Sequence, residues 1–416
     1  MTVRVYLHTF GCRANQYDSE AVAAMVVNGD GVLVDAPEHA DVAVFNSCAV
    51  TNAAEASLRQ QVRRAARRQP ALRTVVMGCA AARSGRAIAA LPSVDAVVPG
   101  ADFAAVAAAI GLTPGSARSA LGAQRGTRGL LRIQDGCDEH CTFCATTLAR
   151  GGNVSRPLDA LIDEASRLAD HHAEIVLTGI HIGTYGVDCG ASLGGLLAAL
   201  VQHVPSVRFR LSSVEATEVD GQLAELLTGD ATRVAPYLHA PLQSGSDAVL
   251  RRMGRHWYSA ATYAAAIEAL VARAPVFGLG ADLITGFPGE TEADHAATRA
   301  LVERLPFTGL HVFPFSARPG TAAVRLQHAV PDAVSRERAA DLRTLGGAKR
   351  SAYATARVGT PADVVVIGHD DGRRDGLTED YLQVELVEPA PPRGARFHAR
   401  LELLPDLPGL LAVPLA

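Results

Sequence analysis

Cys137, Cys141 and Cys144 stand in C-x3-C-x2-C spacing within Gln134-Asp135-Gly136-Cys137-Asp138-Glu139-His140-Cys141-Thr142-Phe143-Cys144, directly after the apolar run Leu130 to Ile133. A tight loop of this kind can wrap three thiolates around one 4Fe-4S cube, and three ligands on four irons leave one iron open to an exogenous ligand. Zinc is the competing reading, but zinc sites are normally closed by four ligands. His140 as the fourth would force two adjacent residues onto one ion. The loop follows a first strand, and parallel barrels place their chemistry at the C-terminal ends of strands, so the motif constrains fold and function together.

The remaining texture agrees with a multidomain α/β chain. A length of 416 residues suggests two to four domains. Up to about residue 112, the runs Val3 to Phe10, Asp41 to Ser47 and Thr74 to Gly78 alternate with alanine-rich helical stretches, which predicts an N-terminal open parallel sheet. Residues 113–128, rich in glycine, serine, alanine and arginine, read as a linker. From 129 to 350, six apolar runs separated by helix-length segments predict a central partial (β/α)6 barrel: Leu130 to Ile133, Glu174 to Leu177, Val207 to Leu211, Pro236 to Leu238, Leu279 to Ile284 and Leu310 to Phe315. Residues 351–416, with Val364 to Ile367, Tyr381 to Val387 and Phe397 to Leu403, read as a small β-barrel.

Seven cysteines behind an N-terminus that starts as a strand, without an export pattern, are expected to bind metal or do chemistry. No apolar run approaches the roughly 18 residues of a membrane span, and the expected location is the cytoplasm. A net charge of -4 gives no whole-protein attraction to nucleic acid, so RNA contacts must be local.

The cysteine triplet resembles the signature of the radical S-adenosylmethionine superfamily, in which the open iron chelates S-adenosylmethionine and one electron cleaves it to a 5'-deoxyadenosyl radical. Further motifs fall at successive strand ends, where that cofactor would lie. Phe143 sits inside the triplet, Thr178-Gly179 ends the second strand, Ser212 and Glu215 follow the third, Gln243 the fourth, and Asp282 and Ile284 lie in Gly280 to Glu290 at the fifth. Each alone is as readily a plain turn as a cofactor contact. Cys12, Cys48 and Cys79 are far apart in sequence but each follows a predicted strand, and parallel strand ends share one sheet edge. Buried core cysteines are the alternative reading. If the three converge, they form a second three-ligand site with an open iron. Cys189 has no partner spacing.

Together with Gly11-Cys12-Arg13-Ala14-Asn15-Gln16, Asn46-Ser47-Cys48-Ala49-Val50-Thr51 and Phe315-Ser316-Ala317-Arg318-Pro319-Gly320-Thr321, this pattern resembles the radical S-adenosylmethionine methylthiotransferases over essentially the whole chain. Leu177 to Gly186 and Arg210 to Glu215 look most like the branch acting on N6-threonylcarbamoyladenosine beside the tRNA anticodon. Thr147, Ala216 and Ala80-Ala81-Ala82 depart from the usual family residues. The resemblance implies two 4Fe-4S clusters, S-adenosylmethionine, a C-terminal TRAM-like barrel, a tRNA anticodon stem-loop and a reductant such as flavodoxin or ferredoxin. It implies sulfur insertion at C2 of the adenine. His239, Gln243 and Arg318, polar groups near strand ends, are candidates to orient substrate, with core or surface roles equally open for each. N6-isopentenyladenosine in tRNA and a ribosomal-protein aspartate are alternative acceptors, and a non-enzymatic metal or electron-transfer module is the alternative class. For RNA, Arg59, Arg63 and Arg67 form one basic face and Arg336, Arg338, Arg343, Lys349 and Arg350 a second; solvated helix faces explain both equally well. The C-terminal segment argues the other way: from Ala352 onward it holds 6 arginines against 10 acidic residues.

Overall fold

The structure is a computed structural model and describes residues 2–49, 52–112, 122–368, 375–404 and 409–415. Five parallel strands, β1 (Arg4–Thr9), β2 (Val32–Val34), β3 (Val42–Ser47), β4 (Arg73–Gly78) and β5 (Val94–Pro99), form an N-terminal sheet in the order β2-β1-β3-β4-β5. Every residue of β3 is buried, as expected of a central parallel strand covered on both faces. Helices α1 (Arg13–Asn28) and α4 (Phe103–Ile110) cover one face through Val22, Met25, Val26, Val106 and Ile110. Helices α2 (Asn52–Arg68) and α3 (Cys79–Ala89) cover the other through Leu58, Val62 and Ile88. The edge strands β2 and β5 are additions to the three strands expected from sequence.

Most of the expected linker, residues 113–121, lies outside the described residues. Its described end is docked: the Gln124 amide exchanges two 2.8 Å hydrogen bonds with the Leu130 backbone, and Arg125 pairs with Glu20 at 3.2 Å. The central region then contributes β6 (Gly129–Arg132), a short antiparallel hairpin of β7 (Gln134–Asp135) and β8 (Val154–Ser155), and β9 (Glu174–Thr178), β10 (Arg208–Leu211), β11 (Tyr237–His239), β12 (Gly278–Thr285) and β13 (Gly309–Pro314). Two parallel sheets, β6-β9-β10 and β11-β12-β13, are joined by the isolated parallel bridges Phe209 to Val234 and Ser213 to His239. The six expected runs thus curve into one open barrel in sequence order.

The closing barrel has five strands, β14 (Pro361–Val366), β15 (Asp375–Leu377), β16 (Gln383–Leu386), β17 (Arg396–Leu403) and β18 (Leu410–Pro414), where the sequence showed three runs. It is seated on the central barrel by buried charge. Arg208, Arg210 and Glu174 are all 0% exposed. Arg208 donates to Asp363 O at 2.9 Å, and Arg210 to Thr378 O and Glu379 O at 3.0 Å. Glu174 neutralises both guanidiniums, at 2.7 and 2.8 Å. Gly278 is required at this joint, since a Cβ there would lie 2.1 Å from Asp380 O.

Glu174→Ala leaves Arg210 buried without a carboxylate and Arg208 with only Asp363 at 3.4 Å, and breaking one partner of such a group costs about 3–5 kcal/mol. A fall of that size in denaturant unfolding, with accelerated proteolysis before residue 361, is the expected outcome; unchanged stability would remove Glu174 from this role.

Candidate active site

The sheet register brings the dispersed cysteines together. Thr9 lies opposite Asn46, Asn46 opposite Met77, and Ser47 opposite Gly78, so β1, β3 and β4 leave the sheet at one edge. Cys12 is the residue before α1, Cys48 follows β3, and Cys79 opens α3. Gly11, at φ +97°, passes so close to Cys48 that a Cβ would sit 2.6 Å from its Sγ. The Asn15 amide ties the loops by donating to Phe10 O and Ser47 O, both at 2.9 Å. Asn15 is also the residue that reaches the Cys79 sulfur, at 4.0 Å.

The compact triad is held by the β7-β8 hairpin. Gly136, at φ +72°, packs so closely that a Cβ would lie 1.7 Å from Gly152 O, and Cys137 N donates to Gly151 O at 3.0 Å. Around the sulfurs stand N–H donors: Glu139 N to Cys137 and Thr146 N to Cys144, both at 3.4 Å, Arg255 to Cys141 at 3.4 Å, and in the other triad Arg150 to Cys79 at 3.3 Å. Burial nevertheless pushes the Cys141 thiol up to about 12, and the Cys79 thiol up as well. Donors and guanidiniums arranged on sulfurs that burial keeps from ionising alone suit thiolates neutralised by a bound iron centre. Both triads therefore fit a cluster. His181 stands against the first triad: burial opposes its protonation, but its contacts with Cys137, at 3.6 Å, and with Glu218, at 2.7 Å, raise it to about 10.

One cavity of about 470 Å³ is lined by a cysteine of each triad, Cys79 and Cys144. Its walls are mostly apolar, with Phe143, Ile284, Phe313 and Phe315, and carry the polar side chains Gln243, Asp282 and Arg318. Of the residues expected at the cofactor, Phe143, Gln243, Asp282 and Ile284 are thus together. Thr178, Gly179, Ser212 and Glu215 lie at the neighbouring ends of β9 and β10. Glu215 is engaged by Arg255, with one buried oxygen left unpartnered. Burial raises the Asp282 carboxyl, but its bonds to His239 at 3.1 Å and His311 at 3.3 Å outweigh this and hold it below the usual carboxylate range. Cys189 is exposed and stands in a turn after Gly186.

Arg150, which the sequence did not single out, joins the two halves. Its guanidinium donates to Cys79, to Asn15 at 2.8 Å and Asp18 at 2.6 Å on α1, and to both oxygens of Asp135 at 3.1 Å. Arg132 bonds the other Asp18 oxygen at 2.6 Å. Of the second basic cluster, Arg338 is buried against Glu290 and Glu292, Arg343 donates to Val312 O, and Lys349 to Glu303 O. Within that cluster Arg338 is spent on internal charge, which the linear spacing concealed, while Arg336 and Arg350 stay exposed. On the first face, Arg59 pairs with Glu55 at 2.8 Å.

An open six-stranded barrel with a three-cysteine loop after its first strand defines the radical S-adenosylmethionine fold. Comparison with known proteins agrees. Residues 131–302 match the Radical SAM superfamily and residues 4–100 the Uncharacterized protein family UPF0004. A radical S-adenosylmethionine methyltransferase, TsrM, from Kitasatospora setae, solved with cobalamin and a [4Fe-4S] cluster bound, superposes with a TM-score of 0.59 over 78% of this chain and 77% of that one, at 14% identity. Threonylcarbamoyladenosine tRNA methylthiotransferase MtaB of Thermotoga maritima is 35% identical over 81% of this chain and 80% of its own length. The Bacillus subtilis protein of the same name is 34% identical over 91% and 89%. A tRNA-2-methylthio-N(6)-dimethylallyladenosine synthase of Erythrobacter litoralis is 32% identical over 92% and 94%. The chain belongs to the threonylcarbamoyladenosine tRNA methylthiotransferase family.

Arg150→Met leaves the buried Asp18 and its neighbour Asp135 with Arg132 alone and should cost toward the lower end of about 3–5 kcal/mol in denaturant unfolding. Arg150→Lys is expected to recover only part of this, since an ammonium lacks the planar fork that serves Asp18, Asp135, Asn15 and Cys79 together. Full recovery by lysine would show that charge alone suffices.

Proposed function

We propose that the protein converts N6-threonylcarbamoyladenosine at position 37 of tRNA, in the anticodon stem-loop, to its 2-methylthio derivative. The observation that carries this reading is the single cavity shared by Cys79 and Cys144. In this assignment Cys137, Cys141 and Cys144 hold one 4Fe-4S cluster and Cys12, Cys48 and Cys79 the other. When bound, the first cluster with S-adenosylmethionine supplies the radical that removes hydrogen from C2 of the adenine, and the second supplies the sulfur.

The chain's own residues set the conditions for that chemistry. Phe143, Ile284, Phe313 and Phe315 line the space between the triads and offer apolar surface to the adenine. Gln243, held at φ +62°, and Arg318, which donates to Ala49 O at 2.9 Å, present polar groups at its rim. Thr178, Gly179, Ser212 and Glu215 are assigned to S-adenosylmethionine on their strand-end positions. Residues 1–112 carry the sulfur-supplying site, 129–350 the radical site, and 351–416 the TRAM-like barrel, with 113–128 as the connection. The reductant is a flavodoxin or ferredoxin, and the location follows the tRNA to the cytoplasm; among the described residues no helix is long and apolar enough to cross a membrane. The tRNA-directed relatives leave a ribosomal-protein aspartate without support.

Anaerobic reconstitution should load about eight irons per chain, and Cys141→Ala or Cys48→Ala should each leave about four. Zinc in place of iron, or no 5'-deoxyadenosine on reduction, would overturn the enzyme assignment. Nucleoside mass spectrometry of tRNA from a deletion strain should lack 2-methylthio-N6-threonylcarbamoyladenosine; loss of the isopentenyl derivative instead would reassign the substrate.

A further inference from the structure

A second cavity, of about 270 Å³, lies between the start of β13 and the C-terminal barrel and has no part in the radical chemistry described above. Arg128, His239, His311, Arg350 and Tyr381 are among its walls. Along β13 the side chains of His311 and Phe313 point the same way, both exposed, while Val312 between them is buried. His311 therefore lines the second cavity where Phe313 lines the first, about 7 Å apart on one strand face. Asp282, in the wall of the first cavity, is bonded to both histidines of the second. The two spaces adjoin at this carboxylate.

The second cavity differs from the first in charge. Its nearby acids are already engaged: Asp282 by His239 and His311, and Glu174 by Arg208, Arg210 and Arg128. Arg350 is exposed and has no ion-pair partner among the described residues. Arg13 donates to the Tyr381 hydroxyl at 2.7 Å. Tyr381 itself stacks on Tyr237, with centroids 4.4 Å apart, beneath the guanidiniums of Arg128 and Arg210. Burial pushes its phenol up, yet Arg13, Arg128 and Arg210 bring it below the ordinary tyrosine value, which reports the positive potential at this place. A cationic recess next to an apolar reaction cavity suits a ligand that is an aromatic ring at one end and an anion at the other.

The substrate assigned above has that form, since its threonyl group carries a carboxylate linked to N6 while C2 faces the triads. We propose that the Arg128, His311 and Arg350 recess is the subsite for this carboxylate, an inference that rests on the threonylcarbamoyladenosine reading. An RNA phosphate offers the same anionic chemistry, and the test separates the two.

Binding of the full reconstituted chain would be measured to anticodon stem-loop RNAs bearing adenosine, N6-threonylcarbamoyladenosine, its carboxyl methyl ester, or N6-isopentenyladenosine at position 37. The unaltered protein should prefer the free acid over the ester by about tenfold or more, as a charge-assisted hydrogen bond allows. Arg350→Ala, at an exposed position, should abolish most of that preference, and Arg350→Lys should keep part of it. Arg350→Ala that still discriminates acid from ester would overturn the subsite. Equal weakening for all four RNAs would assign the recess to a phosphate and overturn the carboxylate assignment. An unaltered protein that binds the threonylcarbamoyl and plain adenosine RNAs alike would instead overturn the substrate reading itself.

Discussion

The Arg150 side chain, 2% exposed, binds the fully buried Asp18 at 2.6 Å, and the geometry of the whole site hangs on that pair. Two charges taken out of water are stable only when every remaining donor and acceptor is used, and here they are shared out among Asp135, Asn15, Cys79 and Arg132. Asp18 and Asn15 belong to the first helix, Cys79 to the dispersed triad, and Asp135 to the hairpin that carries the compact triad. A rotation of the N-terminal sheet on the barrel would break several of these bonds at once. Two cysteine triads that line one cavity need such rigidity, because neither contains a residue from the other's part of the chain to fix their separation.

Legibility in the sequence follows how local the cause is. Cys137, Cys141 and Cys144 could be read because their geometry is set by eight consecutive residues. Cys12, Cys48 and Cys79 could be read because parallel register turns three strand ends into one place. The apolar runs of β3, β9 and β12 announce themselves since both their faces are covered. The strands β2 and β15 have three residues each, and so little of a two-residue alternation that the pattern is lost. Arg150 and Arg255 were invisible for a different reason. Their partners lie 71 and 114 residues from them at the sulfurs they contact, and nothing near either arginine marks it. His181 stood in a string that pointed to the substrate branch, but its hold on Cys137 is purely tertiary.

The acidic C-terminal barrel posed a conflict with RNA binding that burial eases for three of its carboxylates. Asp363 is bound by Arg396 at 2.6 Å and Arg208 at 3.4 Å, and Arg357 binds Glu379 at 2.7 Å and Asp380 at 2.8 Å. These carboxylates are 7%, 9% and 0% exposed at the side chain. Part of the negative charge counted along the segment is therefore structural: it seats the barrel on the arginines of β10 and on the end of the helix Asp332–Ala356, and an approaching polyanion meets little of it. What the barrel offers at the opening of the central fold is Tyr381, surrounded by Arg13, Arg128 and Arg210 from the other two parts of the chain. The sign of the potential there is set by residues the barrel borrows rather than by its own composition, so net charge per segment is a poor guide to which surface can face RNA.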